Sequence, residues 1–415
     1  MLKRLWGYSN KVFDLAVLLA GLSNRGFSKR YNEPLITSVL LVGMLLRIRS
    51  LHALVLSIRS NQRTWRKWCA GSDLPSASTL SRGLGKSDVE SLRHISGKIT
   101  HRLRRNKVLN TGEHSSGLMV AAVDGHETIS SRKRCCSQCQ KRIKKAGGKE
   151  VIEYYHRYVV CQLVLGSVPA ILDIEPIGPG EGEQTASKRL IKRVLEERSR
   201  MVDVFVFDAL YLDSKLLNML NEANKYWVVV LKQEKREVYE EIDRLLPKAK
   251  KQVFVDGGKH VTLWDLPELV CWDGLKHAFR GVVSEEKKLV WEKDKSGKKH
   301  QIEEISHWRW LTNMPAIYPA KIIYRFGHGR WDIENRGFNE LVNQCHFDHA
   351  FHHHPNALLA MLWIISLAFT LSYAFFLRNL KPQFRKIIGT RQQLAEQLKL
   401  SLADNKDLIL LSLSP

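Results

Sequence analysis

Acidic side chains are scarce in this sequence. Asp and Glu number 42 against 65 Lys and Arg, which leaves a formal net charge of +23 and a pI near 9.7. Such a deficit disfavours a cationic partner and points to a polyanion, of which nucleic acid is the commonest. A basic surface kept for solubility is the plainer alternative. Cysteine is scarce too: there are seven, an odd number, and three crowd into "CCSQC" at 135–139. That is not a disulfide framework, and a reducing compartment is expected. The opening "MLKRLWGYSNKVFDLAV" lacks the small-residue cleavage site of a secretory signal, so a cytoplasmic location is expected. Internal repeats and long low-complexity tracts are missing. "GPGEGE" (178–183) precedes a helical pattern but lacks the lysine of a phosphate-binding loop, which argues against a nucleotide site.

Apolar residues are in ordinary supply, at 44%, and 415 residues suggest two or three domains. Residues 1–110 read as an all-helical domain. Within it "PSASTLSRGL" (75–84) has a helix start and a Gly stop, and fits either the second helix of a helix-turn-helix or a short core helix. From 118 the period changes. "LMVAAVD" is a short strand ending in Asp124, and "YYHRYVVCQLVL" and "VPAILDIEPI" are two more. "VDVFVFDAL" is a strand buried on both faces that ends in Asp208, and "YWVVVLK" is another, with helices between them. Residues 118–233 are therefore the first part of an α/β domain, 234–304 a Lys- and Glu-rich insertion of β character, 305–378 the remainder, and 379–415 a helical tail. The uncharged run 357–377 is long enough to cross a bilayer. A helix buried on all sides is the preferred reading, with no membrane involved.

The chemistry lies in the carboxylates. In "RWDIENRGFNEL" (330–341) helical spacing sets Trp331, Glu334, Phe338 and Leu341 on one face, and three of these are large and apolar. A carboxylate on a buried stripe needs a partner, because leaving it unpaired costs on the order of several kcal/mol. Arg330, four residues earlier, is one candidate and a metal ion is another. Asp124 and Asp208 end strands that could lie side by side. With Glu334 they make an oxygen-only set suited to Mg²⁺ or Mn²⁺ shared with a substrate phosphate. Two such ions can drive phosphoryl displacement, and with the basic charge the substrate would be DNA or RNA.

Taken in order, "AAVDGHE", "DVFVFDALY" and "RWDIENRGFNEL" resemble the three catalytic blocks of prokaryotic insertion-sequence transposases of the DDE superfamily. Over roughly residues 118–378 the element order also matches. The resemblance implies a ribonuclease H-like mixed sheet with flanking helices and a β-rich insertion. It implies Asp124, Asp208 and Glu334 as ligands of two Mg²⁺ or Mn²⁺ ions. The implied activity is cleavage at transposon ends followed by attack of the freed 3′ hydroxyl on target DNA. The implied partners are double-stranded DNA and a second copy of the chain in a synaptic complex, in a nucleoid-associated setting. Arg330, Trp331, Ile333 and Glu334 fall on the family's arginine, tryptophan, isoleucine and glutamate. The subgroup with a tyrosine–arginine–glutamate–lysine signature has a Tyr where this chain has Gly327, and its lysine would fall near Leu341 or Val342. Tyr324 and Arg325, one turn earlier, are candidates to replace the former in holding DNA, and Arg330 and Trp331 are expected to contact DNA with them. The missing lysine and tyrosine motivate an alternative: a catalytically impaired, transposase-derived DNA-binding protein.

Two further clusters stand out. Residues 131–150 hold eight Lys and Arg against one Glu. Arg132, Lys133, Arg134, Lys141 and Arg142 are candidate phosphate contacts in a loop. In the same loop Cys136 and Cys139 have CxxC spacing. A tetrahedral zinc site could add Cys135 and either His126 or, preferred here, His156; incidental thiols are the other reading. "CHFDHAFHHHP" (345–355) offers His349 and His353, read either as a second metal site or as donors to phosphates and carbonyls.

Overall fold

The apolar runs become the centre of one ten-stranded sheet. A computed structural model describes residues 1–28, 30–68, 73–109, 117–233, 236–294 and 297–403. The polar connector at 110–116 and the end of the tail, 404–415, lie outside the described residues. β1 (Val120–Ser131) runs parallel to β5 (Val204–Phe207), and β5 parallel to β6 (Tyr226–Val230). On its other side β1 is antiparallel to β3 (Lys149–Val164), whose far edge pairs with β4 (Ile171–Ile177) and with β2 (Gln140–Ala146). The order β4-β3-β1-β5-β6, with its first three strands antiparallel and its last three parallel, is the ribonuclease H-like arrangement.

The insertion does not form a separate layer. β7 (Lys250–Asp256), β8 (Lys259–Leu269), β9 (Phe279–Lys293) and β10 (Lys299–Thr312) are an antiparallel meander, and the end of β10 pairs with β6. β10 thus runs through the expected boundary at 304/305. β1 is also longer than expected. It continues past Asp124 to Ser131, because β3 goes on pairing with it after β5 has ended. The basic stretch expected as a loop is half strand: Lys141 and Arg142 belong to β2.

Helices surround this sheet. α1 (Leu2–Phe13), α2 (Leu15–Ala20), α3 (Glu33–Leu45), α4 (Leu51–Ser60), α5 (Gln62–Trp68), α6 (Ala77–Lys86) and α7 (Val89–Arg105) form the N-terminal helical region. Short polar residues start four of them, Asn32, Ser50, Ser76 and Asp88. Asn32, Ser76 and Asp88 accept backbone N–H bonds from Leu35, Thr79 and Ser91 at 2.9, 3.2 and 3.0 Å. α6 is the segment read as a possible recognition helix; its Leu80 and Leu84 are buried, while Arg82 is exposed. Between the central strands come α8 (Glu183–Arg198), α9 (Ser214–Glu222) and α10 (Arg236–Leu245), and after β10 come α11 (Ala320–Gly329) and α12 (Asn339–Cys345).

The uncharged run forms α13 (Pro355–Arg378), which packs against α1, α3, α6 and α7 and also against β4. It is long and apolar enough to cross a membrane, but 89% of its most apolar window is buried inside the protein. Its sides are covered by other elements, so it joins the N-terminal helices and the sheet in one continuous core. α14 (Pro382–Ile388) and α15 (Arg391–Ala403) close the described chain.

α11 couples the insertion to the core. Burial alone would raise the Glu286 carboxyl, but hydrogen bonds from His328 and Lys259 hold it at about 2. Gly327 on the same helix lies against Trp310 so closely that a Cβ there would sit 2.1 Å from the indole nitrogen. Trp310 is itself buried, 1% exposed. Gly327→Ala is therefore expected to destabilise the fold by about 1–3 kcal/mol through overpacking. Gly7→Ala, which meets nothing within 4 Å, should be neutral or slightly stabilising. Paired chemical denaturation curves check this, and equal stability of the two variants would refute it.

Candidate active site

The parallel register of β1 and β5 decides where the aspartates meet. Their last paired residues are Ala122 and Val206; two positions further, Asp124 and Asp208 stand abreast. Asp208 leaves the sheet into a 3₁₀ turn, Ala209–Tyr211, and its Oδ1 accepts the Leu210 N–H at 2.9 Å. Asp124 remains in β1, held by β3 alone. Glu334 reaches the same place from the chain after α11. Arg330 Nη1 donates to Glu334 Oε1 at 2.9 Å and to Asp124 Oδ2 at 3.3 Å. One guanidinium thus bridges the first and third carboxylates.

The helix carrying Glu334 differs from the regular one the sequence suggested. Residues Ile333–Phe338 form a π-helical turn, in which Asn339 N–H bonds to Glu334 O. The wider turn displaces the apolar stripe. Ile333, Phe338 and Leu341 face the core at 0, 7 and 0% exposure, while Trp331, expected on that face, is 41% exposed. Trp331 stands on the outside with the Arg330 guanidinium 5.3 Å from its ring centre. The Glu334 side chain is 41% exposed, so it lies at the rim of the site rather than inside the core.

A fourth carboxylate escaped the sequence reading. Glu183, the first residue of α8, is 8% exposed and accepts from the Tyr211 hydroxyl at 2.8 Å and from Arg157. It packs on Gly125, where a Cβ would lie 2.1 Å from its carboxylate oxygen. The signals were a glycine directly after Asp124 and an acidic residue opening a helix, both too common to stand out. Burial pushes the Asp124 carboxyl up to about 7; Arg330 opposes this, while the charges on Asp208, Glu183 and Glu334 add to it. Four negative groups therefore share a half-enclosed site in which Arg330 touches only two of them.

Of the residues expected to contact DNA, Arg132, Lys133, Arg134, Lys141 and Trp331 are exposed, whereas Arg330 is buried and engaged with Asp124 and Glu334. Arg325 is half-buried. Arg142 is engaged with Glu127 at 2.6 and 2.7 Å and with Glu153 at 2.6 Å, so it ties β2 to β1 and β3 rather than standing free. Tyr324 is 2% exposed, and its hydroxyl donates to Asp256 at the tip of β7 at 3.2 Å. It packs between Phe254, Trp310 and His328, because α11 presents that face to the insertion. It cannot replace the subgroup's tyrosine on DNA in this conformation. Cys136, Cys139 and His156 converge, but Cys135 is exposed and outside their cluster. His353 takes the fourth place instead.

The family model described as the transposase DDE domain matches residues 120–371, more than half of the chain. The chain belongs to this family. No curated protein matches it. The match begins at the first residue of β1 and ends within α13, so it spans all four carboxylates of this DDE transposase. DDE transposases use divalent metals such as Mg²⁺. The donors present fit such an ion: they are hard carboxylate oxygens, and their negative charge exceeds what Arg330 and Arg157 offset.

The burial and crowding of Asp124 have a sign that can be tested. A carboxyl whose pKa rises on folding favours the folded state fully below its unfolded value near 3.8, and that contribution is lost as pH rises through about 7. Without metal, the transposase should therefore lose stability from this group between about pH 4 and 7. Asp124→Asn should be about 1–3 kcal/mol more stable than the parent at neutral pH without metal, with a flatter pH dependence and a smaller gain on adding Mn²⁺. Thermal melts across pH, with and without Mn²⁺, check this; a parent that needs no metal and shows no such slope would refute it.

Proposed function

We propose that this transposase cleaves DNA at the ends of its element and joins the freed 3′ hydroxyl to target DNA. Asp124, Asp208 and Glu334 would hold a pair of Mg²⁺ or Mn²⁺ ions. The observation that carries this reading is the convergence of three carboxylates from separate elements on one half-exposed site, within a family of transposases. Bound there, the ions would activate the attacking water or hydroxyl and stabilise the leaving oxygen. The protein's own groups have separate tasks. Arg330 fixes Asp124 and Glu334 relative to each other. Glu183, held by Arg157 and Tyr211, sets the floor beneath Gly125. Trp331, exposed beside the site, offers a flat surface for an unpaired base. Arg132, Lys133, Arg134 and Lys141 supply positive charge for the phosphate backbone. Two ends must be joined, so a dimer in a synaptic complex follows from the task.

The test is incubation of full-length protein with labelled DNA carrying the element's ends, in Mg²⁺, Mn²⁺ or EDTA, beside Asp208→Asn and Glu334→Gln. Metal-dependent cleavage leaving a 3′ hydroxyl, reduced to background in both variants, is expected. Tight binding without cleavage under either metal would overturn the proposal in favour of a DNA-binding descendant.

A further inference from the structure

A second cluster of metal-type side chains stands apart from the carboxylates and contains no oxygen donors. The connector from β1 to β2 makes a tight turn, in which Cys139 N–H bonds to Cys136 O at 3.2 Å. The turn brings the two thiols to 3.7 Å. β3 presents His156 from below, with Nε2 at 3.4 Å from Cys136 Sγ and 3.3 Å from Cys139 Sγ. The fourth group comes from the other side of the site. His353, in the segment between α12 and α13, places Nε2 3.2 Å from Cys139 Sγ. All four ligand atoms lie within 4.8 Å of one another. Cys139 and His156 are 4% exposed.

These spacings can be compared with a bound ion. Zinc about 2.3 Å from sulfur and about 2.0–2.1 Å from nitrogen sets tetrahedral edges of roughly 3.8 Å between sulfurs and roughly 3.5 Å between sulfur and nitrogen. The observed S–S distance and the three S–N distances follow that pattern. Two thiols and two imidazoles form a soft, closed donor set that selects zinc over Mg²⁺ or Mn²⁺. The set is therefore suited to structure rather than to the phosphoryl chemistry proposed for the carboxylates. The Cys136 N–H also points at Cys139 Sγ, at 3.3 Å, as a donor that would steady a thiolate.

We propose that Cys136, Cys139, His156 and His353 form a structural zinc site that fastens the basic connector of β1 and β2 to the segment following the Glu334 helix. The tie closes a span of 214 residues between Cys139 and His353. Two residues along the β1–β3 ladder from His156, His126 stacks on Phe338, 4.4 Å between ring centres, at the end of the π-helical turn. Zinc would thus hold Arg132, Lys133 and Arg134 at a fixed place relative to Glu334, and would do so whether or not the carboxylates cleave DNA.

The experiment uses the full chain, purified without chelators from zinc-supplemented culture. Elemental analysis should find about one zinc per chain. Cys135→Ser and Asp124→Asn should keep it, whereas Cys139→Ser and His353→Ala should lose it. Because a ligand variant can fail to fold, the wild-type protein is also stripped of metal under reducing conditions and titrated with Co²⁺. Thiolate-to-cobalt charge transfer with intense tetrahedral ligand-field bands is expected, saturating at about one equivalent. Hydrogen exchange across 346–354 should quicken on stripping and slow again on zinc return. A wild-type chain with neither zinc nor a cobalt signal would overturn the proposal. So would zinc that survives Cys139→Ser, or a thiol count under non-reducing denaturation that is two short of seven.

Discussion

The burial of Asp124 among other carboxylates that the backbone holds together is the constraint on which the rest of this molecule turns. The parallel pairing of β1 and β5 leaves Asp124 and Asp208 abreast, and Glu183 and Glu334 add their charge from two other elements. Concentrated like charge is unfavourable in a half-enclosed site, so the surrounding structure must hold it in place. Arg330 offsets part of the charge. The remainder is what a divalent cation would neutralise, and it links the fold's strain to the family's chemistry.

The supports around that site are themselves ionic and buried. Glu340, six residues after Glu334, is 6% exposed and receives Arg47 from the N-terminal helical region, Tyr373 from α13 and Arg391 from α15. Burial would raise its carboxyl, but the arginines and the tyrosine hold it below the usual range. Three distant parts of the chain therefore clamp the helix that follows Glu334. Glu286 does the same for α11 from the insertion side. Removing one partner from such clusters leaves a charge stranded, so the N-terminal helices and the tail bear on Glu334 through Glu340 on the helix that follows it.

Much of this was legible locally. The runs "LMVAAVD" and "VDVFVFDAL" became β1 and β5 because continuous apolar residues fit strands covered on both faces. Helix starts were written as Asn, Ser or Asp at Asn32, Ser50, Ser76, Asp88 and Asp213. Arg330 and Glu334 are four residues apart, and they do pair. What failed did so where a neighbour intervened. The stripe through Trp331 assumed a regular helix, but a π-helical turn shifted it. Tyr324 looked available because its sequence gives no sign that the tip of β7 covers it. Cys135 was grouped with its neighbours by proximity in sequence, but the turn of the connector leaves it outside.

The sequence by itself determined the alternation of strands and helices, the excess of positive charge and the three acidic blocks, because these depend on side-chain type and short-range period. The tertiary structure alone decided which distant groups share a site. Glu183 beside Gly125, His353 beside Cys139 and Arg391 on Glu340 are separated by tens to hundreds of residues. Only the closure of the sheet, the packing of α13 and the register of β1 with β5 bring them within reach, and no local periodicity carries that information.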